Sequence, residues 1–127
     1  MKNSEILNKL YKENALTKDD IYKDKRGFTI ITRSGIEQIQ YNNKIEVAFE
    51  MIQCMKDMVV IKAKTFQNGE PKIETYGSAT DENCMNKFKV EVAEKRALAR
   101  AIIKTMGFTN FLGQDEIENQ NKKIVNK

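Results

Sequence analysis

Four cations recur along one unbroken stretch, Lys87 to Met106 (KFKVEVAEKRALARAIIKTM): Lys89, Arg96, Arg100 and Lys104. The stretch holds no Pro or Gly and is rich in strong helix formers, which predicts a single helix with Gly107 closing its C-terminus. At about 100° per residue the four cations fall on one side, with Arg100 and Lys104 one turn apart. At about 1.5 Å rise per residue, Lys89 to Lys104 spans on the order of 22 Å, long enough to serve several phosphates of an extended strand. Six basic side chains stand against two acidic ones here, a local balance of +4 that equals the balance of the whole 127-residue chain. Glu91 and Glu94 lie off the row. A solvated helix face would read the same way, so the row is a candidate anion surface and no more on its own.

Other chemistry is bounded by what the chain lacks. It has no histidine, which removes imidazole acid–base catalysis, Ser–His and Cys–His nucleophile pairs and imidazole metal sites. Asp57 followed by Glu70-x-Lys72 imitates the D…ExK signature of metal-dependent nucleases. However, Glu70 falls in a turn and Pro71 separates the acid from the lysine, so no enzymatic reaction, cofactor or metal is expected. Asp81-Glu82 and Asp115-Glu116 read as solvated loop acids. Lys23, Lys25, Arg26 and Arg33 form a second basic cluster, diluted by Asp24 and read as a solubilising surface. Cys54 and Cys84 are far apart, and reduced thiols are expected. A sequence pI near 9.0 permits an anionic partner without requiring one.

The elements that must position these residues follow from periodicity. Ser4 to Asn14 reads as an amphipathic helix burying Ile6, Leu7, Leu10 and Tyr11, and Ala15 to Arg26 as a connection with a helical turn over Thr17 to Ile21. Phe28 to Thr32 is β-branched and predicts a strand; Ser34 caps a short helix through Gln40. Lys44 to Cys54 alternates, with Ile45, Val47, Phe49 and Met51 on one side. Lys56-Asp57 turns the chain, and Met58 to Phe66 is the next strand, with Val59, Ile61 and Ala63 opposite Lys62 and Lys64. Asn68-Gly69 is a hairpin signal. Sidedness sets the register: a plain two-residue loop would place Lys64 opposite Ile73. A three-residue loop with a bulge pairs Thr65 with Ile73, Ala63 with Thr75, Lys64 with Glu74 and Lys62 with Tyr76, keeping the lysines out of the core. Lys72 to Ser78 is the last strand, and Ala79 to Asn86 leads into the long helix with Asn86 as N-cap. The long helix should bury Phe88, Val92, Ala99, Ile103 and Met106, with Ile102 at the edge and small Ala93 and Ala97 allowing a close approach. Phe108, Phe111 and Leu112 either pack back or reach a neighbour. The expected fold is α+β: a curved antiparallel sheet, made of a three-strand meander plus the N-terminal strand, packed on one long C-terminal basic helix.

Within the helix, Ala93-Glu94-Lys95-Arg96-Ala97-Leu98-Ala99-Arg100-Ala101-Ile102 resembles the A-E-x-R-A-x-x-R-A-[LI] helix of DdrA-like proteins and phage single-strand annealing proteins, members of the wider superfamily of Rad fifty-two. Tyr76-Gly77 is similar to that superfamily's Y-G strand end, and the order of three strands followed by a basic helix ending in Gly is also similar. The resemblance covers roughly Phe28 to Gly113. It implies a core that binds, and anneals, single-stranded DNA as a ring or filament. It places Arg100 and Lys104 on basic positions that contact DNA, and Arg96 on a basic position of the DdrA-like pattern. The chain has no room for the second, partner-binding domain of the eukaryotic protein.

Together these readings give one DNA-binding domain over 1–113 and a polar tail over 114–127, frayed or with a short helix around Asp115 to Asn119. The candidate DNA-binding residues are Arg100, Lys104, Arg96 and Lys89, with Lys62 and Lys64 tracking phosphates and Tyr76 stacking on a base. The expected setting is the cytoplasm, since no apolar run is long enough to span a bilayer and MKNSEILNKLYKEN has no apolar signal core. The process would be recombination, repair or replication of phage or plasmid DNA. Three other readings share the same residues: a strand-protecting protein on an OB-like barrel, an assembly protein whose basic helix meets an acidic partner, and the nuclease set aside above.

Overall fold

The computed structural model describes residues 8, 12, 16, 17, 19–84, 87–108 and 111–114. The N-terminal helix expected over Ser4 to Asn14 falls mostly outside these residues, and Asn86 and the tail after Gln114 fall outside them altogether. The chain is α+β, with the order β1 (Ile21–Lys23), β2 (Thr29–Ile31), α1 (Arg33–Asn42), β3 (Glu46–Met55), β4 (Met58–Gln67), β5 (Glu70–Thr80), α2 (Lys89–Thr105) and β6 (Phe111–Gly113).

The strands form two sheets. β3, β4 and β5 make the expected antiparallel meander. The N-terminal strand does not join it, which corrects the sequence expectation of one sheet. β2 instead sits at the centre of a second sheet, antiparallel to β1 and parallel to β6. The stretch read as a helical turn up to Ile21 is a turn only as far as Asp20, where the Thr17 N–H donates to Asp20 Oδ2 at 2.9 Å; Ile21 already belongs to β1. An open three-strand meander beside a separate small sheet is not an OB-like barrel.

The hairpin register is the one sidedness demands, reached by a different device. Lys62 pairs with Tyr76, Ala63 with Thr75 and Lys64 with Glu74, and the irregularity lies between Lys64 and Phe66. The turn itself is the two-residue Asn68-Gly69, with φ of +53° and +80°, the left-handed pair that matches strand twist. The bulge therefore lies inside the ladder rather than in the loop, with Lys72 and Ile73 of β5 set against the single Thr65 of β4. The fully buried Thr65 hydroxyl accepts the Ile73 N–H at 3.1 Å in place of a backbone carbonyl. The same oxygen meets Thr105 Oγ1 of α2 at 2.8 Å, so the bulge also ties the sheet to the helix.

α2 separates two clusters. On one side Ala93, Ala97 and Ala101 pack on Val59, Ile61, Ala63 and Ala79 of the meander. On the other, Ala99, Ile102 and Ile103 pack with Ile21, Ile31, Ile36, Ile39 and Phe111 of α1 and the small sheet. The small-residue seam lets backbone meet backbone. A Cβ built on Gly77 would overlap the Ala93 carbonyl oxygen and the Ala97 nitrogen, and Thr75 Oγ1 donates to the Ala97 carbonyl at 2.8 Å. The helix stripe read from the sequence is thus only half of its buried surface, and Phe88, placed there in the core, is 57% exposed. No helix among the described residues is long and apolar enough to cross a membrane.

Candidate nucleic-acid interface

The C-terminus of α2 is closed by Gly107 and Phe108, just past the helix. Gly107 takes φ +74°, its N–H donates to the Lys104 carbonyl at 3.0 Å, and the Phe108 N–H donates to the Ile103 carbonyl at 3.1 Å. This reciprocal pair is a Schellman motif, and it folds Phe108 back beside Ile103. The reversal carries the chain into β6, whose parallel pairing with β2 holds Phe111. Phe108 and Phe111 then lie with ring centroids 5.4 Å apart and planes tilted by 32°. Arg100, Ile103 and Lys104 of α2, with Phe108, Phe111 and Leu112, line a groove of about 390 Å³.

The four cations of the helix row have different fates. Arg100 and Lys104 are exposed. Arg100 Nη1 donates to the Tyr76 carbonyl at 2.7 Å, which holds the guanidinium at the β5 edge. Lys104 makes no ion pair among the described residues. Arg96, placed in the DNA row by the sequence reading, is only 5% exposed. Its Nη1 donates to the Ser78 carbonyl at 2.7 Å and Asn83 Oδ1 at 3.0 Å, and its Nη2 to the Asn83 carbonyl at 2.8 Å. A guanidinium so engaged ties Asn83 to the end of β5 and is not presented to a ligand. Lys89 pairs with Asp81 at 2.9 Å and its side chain is only 15% exposed, so it too is withdrawn from the row.

The sheet residues stand apart from the groove. Lys62 lies 3.6 Å from Glu50 and 3.9 Å from Glu74, and Lys64 lies 3.8 Å from Glu74. Two ammonium groups facing two carboxylates make a nearly neutral face, poorly suited to tracking phosphates. Tyr76 is 51% exposed and in register with Lys62, on the sheet face away from α2; only its backbone meets Arg100. Phe108, Phe111 and Leu112 were legible as apolar residues after the helix. The Gly107 stop followed by an aromatic was the signal that they would fold back beside the basic pair.

The nuclease-like signature is not assembled. Asp57 lies in the turn between β3 and β4, and Glu70 opens β5 at the other end of β4, about 30 Å away at roughly 3.3 Å per residue. Among the described residues no group of three or more His, Cys, Asp or Glu side chains could hold a metal ion. Cys54 is exposed, Cys84 is buried, and neither is in a disulfide.

Two acids near the small sheet shape local turns rather than a site. The Asp20 carboxyl is held below its usual range by the Thr17 N–H, against some desolvation and with help from the Ser34 hydroxyl. Asp24 is also lowered: desolvation opposes this, but the Phe28 and Arg26 N–H groups and the Arg26 guanidinium outweigh it. Compared with family models, curated proteins and solved structures, the chain matches none.

Proposed function

We propose that the chain is a single-stranded DNA-binding protein that seats the sugar-phosphate backbone across the C-terminal half of α2. The observation that carries this reading is the pair Arg100 and Lys104: two exposed cations one helical turn apart, at the rim of a groove with apolar walls. Anchoring of Arg100 on the Tyr76 carbonyl limits the side-chain freedom lost on binding. Strand annealing, assembly into a ring or filament, a Rad fifty-two-like core and a cytoplasmic setting belong to the same proposal. They rest on the sequence resemblance around Ala93 to Ile102. An exposed apolar edge on β3 adds support for assembly, with Phe49 41%, Met51 47%, Ile52 46% and Met55 57% exposed.

The withdrawal of Arg96 and Lys89 changes the expected energetics. Four phosphate contacts would give a salt slope of about −3 per chain, whereas two give about −1.4. Fluorescence anisotropy with labelled single- and double-stranded oligonucleotides over a salt series tests this. Wild-type protein should show the smaller slope and prefer the single strand. Arg100→Ala/Lys104→Ala should weaken binding to all sequences alike and bring the slope close to zero, with the far-UV circular dichroism unchanged. Unchanged affinity in the folded double variant would remove α2 as the DNA surface.

A further inference from the structure

We infer that the groove beside the basic pair is a base-binding site, taking one unpaired nucleobase per chain against Phe108 while its flanking phosphates meet Arg100 and Lys104; this rests on the single-strand reading above. The groove has the two parts a nucleotide needs, side by side. Its walls are the apolar surfaces of Ile103, Phe108, Phe111 and Leu112, and its rim carries the two cations. Its volume of about 390 Å³ falls in the range of about 300–1,000 Å³ common to small-ligand sites. Phe111 is 5% exposed, half-buried Phe108 lies beside it with ring centroids 5.4 Å apart, and both line the groove. A base laid against the Phe108 ring would stack in a mode open to every base, because each has a π-face.

Charge complementarity selects the occupant. An uncharged apolar ligand would leave the Arg100 and Lys104 rim unused, and an acidic peptide would leave the aromatic wall unused. A nucleotide engages both, with the planar base inside and the phosphate outside. The Schellman turn sets the position of the Phe108 backbone through the Gly107 and Phe108 N–H bonds.

The test compares two labelled strands of equal length and phosphate number, an oligothymidylate and one of abasic sugar-phosphate units, each titrated over a salt series with the full chain. The oligothymidylate should bind at least about fivefold tighter, with the same salt slope for both strands. Phe108→Ala should erase that difference and leave the abasic affinity unchanged. Phe108→Leu, which keeps packing on Phe111 but lacks a π-face, should act in the same direction. Lys104→Ala should lower both affinities and both slopes. Equal wild-type affinity for the two strands overturns the base site, even if Lys104→Ala still weakens binding and the single-strand reading stands. Failure of both strands to bind overturns both readings. A Phe108→Ala change in sedimentation without any dependence on bases would assign the groove to a protein contact and also overturn the proposal.

Discussion

The two edges of the meander are treated in opposite ways. On β5, the Ile73 N–H points to Thr65 of β4, so by alternation Glu74, Tyr76, Ser78 and Thr80 turn their backbone groups outward. Three of these are met by other parts of the chain. Arg100 donates to the Tyr76 carbonyl, Arg96 donates to the Ser78 carbonyl, and the Thr80 N–H donates to Asn83 Oδ1 at 2.7 Å. On β3 no strand among the described residues takes up the outer edge, and Phe49, Met51, Ile52 and Met55 are each at least 41% exposed. The irregularity between Met51 and Gln53 twists this edge without covering it. One helix accounts for the contrast. α2 lies over β5 and β4, where glycine and alanine let it approach, and reaches β3 only slightly, around Val47. The cost of covering β5 falls on the basic row: one of its arginines is consumed as an edge cap and another is half committed.

The sharpest way to break the comparison is at the seam. Gly77→Val places a side chain where the Ala93 carbonyl and the Ala97 nitrogen already are, and both obstacles are backbone. The helix must lift from β5, so the loss should be about 3 kcal/mol or more, seen as a large fall in the chemical-denaturation midpoint. A slightly smaller enlargement on β3, Ala48→Val, meets an exposed position and should shift stability by less than about 0.5 kcal/mol. Similar losses at both sites would mean that the two edges are covered alike.

Arg96 and Arg100 provide the next contrast, with one residue type at two burials. Arg96→Ala strands the Ser78 and Asn83 carbonyls in a nearly closed site, for an expected cost of about 2–3 kcal/mol. Arg100→Ala frees one carbonyl at an exposed edge and should cost less than about 1 kcal/mol. For binding, the order should reverse: Arg100→Ala weakens single-strand affinity and lowers the salt slope by about 0.7, while a folded Arg96→Lys variant leaves the slope unchanged. Thermal unfolding paired with the salt series reads both orders. A slope change on Arg96→Lys would return that residue to the DNA surface.

The difference between these two arginines was hidden in the sequence for a physical reason. A helical wheel built on large apolar residues finds the isoleucine side of α2; small Ala93 and Ala97 predict a close approach, but alanine carries too little hydrophobic signal to say which element approaches or that Ala101 joins the seam. Taken together with Gly77 on the strand before, those alanines mark a backbone-to-backbone approach of α2 to β5, and Arg96 and Arg100 lie beside it. The meander register was legible because only one pairing keeps Lys62 and Lys64 off the buried face. The bulge position was not, since Asn68-Gly69 and sidedness each fix a constraint and only the three-dimensional ladder shows where they are reconciled. β1 and β6 were missed because three-residue strands are too short to show a period, and the β2–β6 pairing is set by the Gly107 reversal far along the chain.

The smallest expected effect on stability lies at the open edge, and there the readout is association. Ile52 is 46% exposed at the irregular point of β3, flanked by Met51 at 47% and followed by Met55 at 57%. Replacing it with lysine removes little buried surface, so the unfolding midpoint should move by no more than about 0.5 kcal/mol equivalent. An inward-facing or edge lysine opposes strand addition, because a second strand docking there would desolvate the charge. If β3 is the surface through which copies meet, Ile52→Lys should lower the mass measured by light scattering at micromolar concentration while Arg100→Ala leaves it unchanged. The same variant should retain single-strand binding per chain, because Ile52 lies on β3, at the opposite edge of the meander from β5, whose edge holds Arg100, and does not line the groove. A wild-type chain that is monomeric with and without oligonucleotide would sink the assembly part of the proposal and leave β3 as an exposed edge blunted only by its bulge.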